Sequence, residues 1–197
     1  MAYVKTTVLT GDIITATWGN AIQTQYEEAV ADAITGAPVT ILDRVTSTTE
    51  IGNTALETTA YSATIAGGVL GATGGLRLQL GGEKLVNTPG GGFTVRVKFG
   101  ATTVASVYAP STVSAAWRGW WIQVLLQNTD VSNQRVTTAI FASIAPTTEQ
   151  PYGFTAYSVA TENTASAKNL VVTVQPGSAL AQVWRVHHGV LEKFKAV

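Results

Sequence analysis

Cysteine is absent from this sequence, so neither a disulfide framework nor thiolate chemistry is open to it, and its redox compartment stays undetermined. Charge is scarce as well. Asp, Glu, Lys and Arg make up 12% of the residues, about half the share of roughly 25% usual in soluble proteins. Twelve basic and twelve acidic residues cancel to a formal net charge of zero. Few charges and no net repulsion favour association, so much of the surface is expected to meet other subunits. No basic run or aromatic-interleaved basic patch occurs, which argues against a nucleic-acid partner. No apolar run approaches the roughly 20 residues that span a bilayer. Met1 to Gly11 carries one lysine and no apolar core of signal-peptide length, so no membrane insertion is expected.

Groups suited to catalysis are equally thin. His187 and His188 are the only histidines; neighbours on a strand point to opposite faces, so they are not expected to share a metal ion without a distortion. No nucleophile-elbow motif accompanies the serines. Asp130 sits in a polar loop without the alternating acids of a calcium loop. Glu27 and Glu28, adjacent on a helix, diverge and form no acid/base pair. The glycine cluster from Gly67 to Gly75 is followed by an alternating strand rather than by Gly-Lys-Ser/Thr or a helix, so it reads as a connection and not a phosphate loop. The expectation is a protein without catalysis, metal or cofactor. A glycosidase site assembled from scattered carboxylates is kept as a third reading.

What the sequence does hold is alternation. Phe93, Val95, Val97 and Phe99 alternate with Thr94, Arg96 and Lys98, and Leu76, Leu78 and Leu80 alternate with Arg77 and Gln79. Each run is a half-buried strand. Trp120, Ile122, Val124 and Leu126 share one face of a further strand whose other face carries Trp121, Gln123, Leu125 and Gln127, which suits a central strand or one covered on its second side. Further strands are expected around Tyr61 to Ile65, Val136 to Ile140, Tyr152 to Val159, Leu170 to Val174 and Leu180 to Phe194. Eight or nine strands from Glu57 onward suit an antiparallel β-sandwich, and a jelly roll is the arrangement that count favours. At 197 residues the chain allows one well-buried core and a short appendage.

The appendage is N-terminal. Tyr3 to Leu9 reads as an extended arm. Trp18, Ile22, Tyr26, Ala29 and Ala33 recur at helical spacing, with Gly36 and Pro38 as the stop. A helix of that length is marginal alone, so its stripe rests either on its own chain or on symmetry mates or a larger assembly. This divides the chain into an anchor or oligomerisation segment at 1–40, a linker or first strand at 41–56 and a β domain at 57–197; across Pro38 to Asn53, Val39, Ile41 and Val45 are expected to face inward.

The run Leu70 to Arg77, Asn87 with its nearby glycines, and Thr94 to Val104 together resemble a domain that recurs in virion proteins of tailed bacteriophages. Those are described as head decoration proteins, head fibres, minor structural proteins or tail-fibre components. The likeness extends through Trp117-Arg118-Gly119-Trp120 and the Gln127-Asn128 turn, covering about residues 56 to 145. Ile14 to Ile22 is similar to the short Trp-x-Asn helix that precedes such domains. Leu80-Gly81-Gly82-Glu83 departs from the pattern, where many relatives carry an aromatic residue and a longer strand. The resemblance implies a virion surface protein, often trimeric, that attaches through its N-terminal part to the major capsid protein or another virion protein, and it brings no catalytic residues. The alternative is a receptor-binding tip that uses Trp117, Trp120, Trp121 and Asn128 on a host surface glycan or protein, because indole faces cover C–H surfaces while N–H groups donate.

Overall fold

A computed structural model of the protein describes residues 39–87, 91–110, 114–143, 151–178 and 182–194. The expected arm and helix, with Trp18, Ile22, Tyr26 and Ala29, lie outside them. Eleven strands follow in chain order: β1 (Val39–Val45), β2 (Thr49–Gly52), β3 (Thr58–Ile65), β4 (Gly75–Val86), β5 (Gly92–Phe99), β6 (Thr102–Pro110), β7 (Ser114–Asp130), β8 (Asn133–Ser143), β9 (Pro151–Ala160), β10 (Lys168–Pro176) and β11 (Gln182–Phe194). All their ladders are antiparallel. A seven-stranded sheet runs β1-β11-β4-β7-β8-β9 with β2 also on β11, and a four-stranded sheet runs β3-β10-β5-β6.

The period-two pattern dictates the packing. Leu76, Leu78 and Leu80 of β4 and Ile122, Val124 and Leu126 of β7 turn the same way from the large sheet. They meet Phe93, Val95, Val97 and Phe99 of β5 and Leu170, Val172 and Val174 of β10 in one buried apolar core. Each such side chain contributes about 1.5–3 kcal/mol by leaving water. Trp184 of β11 ties the layers, its ring 5.1 Å from Phe93 across the core and stacked 4.3 Å from Trp120 beside it.

The polar loop between β9 and β10 is bound into this framework. Gly100, at the β5–β6 turn, has φ of 58°, a left-handed conformation that glycine adopts without strain. The Glu162 carboxylate fills the space a side chain at Gly100 would need. It accepts from the N–H groups of Ala101 at 2.8 Å and Thr102 at 3.1 Å and pairs with Lys168 at 2.9 Å. The Lys168 ammonium, foremost, holds this carboxyl below the ordinary glutamate range. Gln134 secures the same residue's backbone, donating to its carbonyl at 2.9 Å and accepting from its N–H at 3.0 Å.

The stretch open between linker and first strand is two strands of the large sheet, β1 against residues 189–194 of β11 and β2 against residues 183–186. Val39 and Ile41 do not face inward; each is 44% exposed, while Val45 packs on the core. A slip in register between Ile41 and Asp43 is the cause. An extra residue in one strand reverses the facing of everything beyond it, so one end of β1 points out and the other in.

Candidate recognition face

The sequence proposes Trp117, Trp120, Trp121 and Asn128 for surface recognition, and the structure separates them. Trp120 is 5% exposed and Asn128 2%, so neither presents a surface. The Trp120 indole N–H lies 3.1 Å from the carbonyls of both Glu83 and Arg185, stapling β4 and β11 from the inside. The Asn128 amide donates to the Gly71 carbonyl at 2.7 Å and to Thr164 Oγ1 at 2.9 Å, and its backbone N–H donates to the Gly74 carbonyl at 2.9 Å. Asn128 therefore fastens the glycine connection that precedes β4. Both residues hold the fold.

Trp117 and Trp121 have the opposite parity on β7 and stand on the outer face of the large sheet, half-buried. Gly119 lies between them, and a Cβ built there meets nothing within 4 Å. The Arg185 guanidinium sits 4.0 Å from the centre of the Trp117 ring. That cation pairs with Glu50 at 2.7 Å and Glu83 at 3.2 Å, and Glu50 in particular raises its pKa. His187 completes the group, 3.2 Å from the same Glu83 oxygen and 3.2 Å from Thr48 Oγ1.

The histidines do not take opposite faces. The β11–β4 ladder passes from Val186↔Gly82 to His188↔Gly81, leaving His187 as an extra residue. This bulge brings both imidazoles to the outer side, His187 at Glu83 and His188 across Gly81, where any Cβ would collide with its ring. Among the described residues, no group of three or more His, Cys, Asp or Glu side chains is placed to hold a metal ion.

Further along the same face Trp121 meets Phe141 of β8 at 5.3 Å between ring centres. Beyond them the surface turns apolar. Leu125 and Phe141 are exposed, with Tyr157 and Val159 of β9, and Tyr157 is 65% accessible. A groove of about 230 Å³ runs between Val39, Leu125, Gln127 and Phe194 beside the Arg77–Glu192 ion pair, 2.6 Å. β7 is central, as its pattern suggests, but its second side stays open among the described residues.

A second, hydroxyl-lined cleft of about 340 Å³ opens beside β1 and β3, where Tyr61 donates to Asp43 at 2.9 Å. Burial, reinforced by that carboxylate, pushes the Tyr61 phenol far above its ordinary pKa, so it serves as a fixed donor. Sequence reasoning overlooked Phe141, Arg185, Glu83 and Tyr157 as members of the outer face. The strand parity of Val136, Thr138 and Ile140 already places Phe141 outward, whereas Arg185 and Glu83 meet only through a pairing of distant strands. No family model matches the chain, and no curated protein does.

Proposed function

We propose that this chain is a structural protein of a bacteriophage virion, of the capsid-decoration or fibre type, which attaches through its N-terminal region and projects the β domain. It acts by adhesion between protein surfaces, without catalysis, as a homotrimer. The observation that carries this reading is the apolar end of the outer face, where Leu125, Tyr157 and Val159 stand exposed on a sheet whose nearby charges, Arg77 and Glu192, already neutralise each other. Such a patch marks an interaction site, and a second copy of the chain is the occupant that a net charge of zero does not repel.

The strand order supports a jelly roll. β1 and β2 beside β11, then β4 and β7, face β3-β10-β5-β6. Counting β1 and β2, which both pair with β11, as one interrupted edge strand, four strands face four, which fits that architecture, with β8 and β9 added beyond β7. The phage assignment itself is drawn from the resemblance of residues 56 to 145.

Light scattering on the purified full chain tests the assembly: a trimer mass is expected, and Leu125→Glu combined with Tyr157→Glu shifts it to monomer while the β-sheet circular dichroism is kept. A wild-type monomer that also fails to add to particles lacking the protein removes the proposal. Trp117 and Trp121, half-exposed amid polar groups, favour a second reading, a host-surface recognition tip.

A further inference from the structure

We infer that the Trp117–Gly119–Trp121 segment of β7, with Glu83 and Arg185 beside it, is a binding site for a neutral oligosaccharide. The inference develops the recognition reading and stands whether or not the chain is built into a virion. Its first support is spacing. Residues four apart on one face of a strand lie about 13 Å from each other, so Trp117, by the ring face that Arg185 does not cover, and Trp121 can each meet the C–H face of a separate sugar ring in one chain. Gly119 leaves the floor between them open, with nothing within 4 Å of a Cβ built there.

The second support is the surroundings. Glu50, Arg185, Glu83 and His187 form one connected row at the Trp117 end. Each carboxylate oxygen has more acceptor capacity than these pairs use, and the guanidinium has five N–H donors. Fixed donors and acceptors around a half-exposed indole match the alternating hydroxyls and C–H faces of a polyol. They match a protein partner poorly, because the cores of protein interfaces are depleted in charged residues. Two carboxylates share one guanidinium, so the row does not attract an anionic ligand, which points to an uncharged sugar.

The third support is separation. β7 is 17 residues long, so one face has room for this end and for the apolar end at Leu125.

The experiment uses the full chain on a printed array of neutral hexose oligosaccharides two to six units long, followed by calorimetry on the best binder. Wild type is expected to bind. Trp117→Ala and Trp121→Ala are each expected to weaken binding about tenfold, the scale of one lost stacking surface. Gly119→Val, which the open space accommodates, is expected to abolish binding by filling the floor while leaving thermal unfolding and oligomeric mass unchanged. Failure of wild type to bind any member of the array overturns the inference, as does binding that all three variants retain. A change of oligomeric mass in the tryptophan variants reassigns the face to a second copy of the chain.

Discussion

Glu162 shows how much one side chain can be asked to hold. Its carboxylate caps two N–H groups at the β5–β6 turn and neutralises Lys168, so removing it strands part-buried donors as well as a cation. Glu162→Ala is expected to lower stability by about 2–3 kcal/mol, read as a shift of the urea midpoint at constant slope. Lys84 illustrates burial of a cation. It lies 1% exposed on the inner side of β4, its ammonium 6.0 Å from the Phe93 ring, and burial pushes its pKa down to about 8 from an ordinary 10.5. Below pH 8 both folded and unfolded chains carry the proton and it confers no pH dependence. Between about 8 and 10.5 only the unfolded chain keeps it, so stability rises with pH across that window. Urea unfolding at pH 7.5 and 9.5 is expected to show this rise, and Lys84→Met to abolish it.

Among the elements, the strands whose alternation is cleanest were legible residue by residue. Leu76, Leu78 and Leu80 of β4, the four inward residues of β5 and the even positions of β7 all point where a period of two sends them. Legibility failed wherever pairing, and not local pattern, sets the facing. β1 is an edge strand with a register slip, so its apolar residues split between the two sides of the sheet. β11 hides a bulge at His187 that nothing in its own sequence announces, since the extra residue is defined only against Gly81 and Gly82 of a strand about a hundred positions earlier. The candidate site divides for the same reason. Trp117 and Trp121 are outward by parity, while the burial of Asn128 follows from a partner at Gly71 that no spacing rule reveals. The contrast is measurable: Ile41→Lys, at an exposed edge, is expected to change stability by no more than about 0.5 kcal/mol. Leu78→Ala in the shared core is expected to cost about 2–5 kcal/mol.

At the scale of the whole molecule, the two sheets are asymmetric in what they offer. The large sheet carries the bulged histidines, the charged row and the apolar groove on one outer face. Leu125, Phe141, Tyr157 and Val159 stand exposed together on that face, and such a patch marks the side from which another molecule approaches. The placement of β11 has a further consequence, concerning manufacture. It fills the slot between β1 and β4, yet the ribosome produces it after every other described strand. Until those residues emerge, β4 and β1 have no shared neighbour and the growing polypeptide presents unsatisfied backbone to its surroundings. The large sheet therefore closes only once residues 182–194 have been made, and nascent chains stalled before residue 182 should be captured by holding chaperones and cut readily by protease, whereas chains that include β11 resist both.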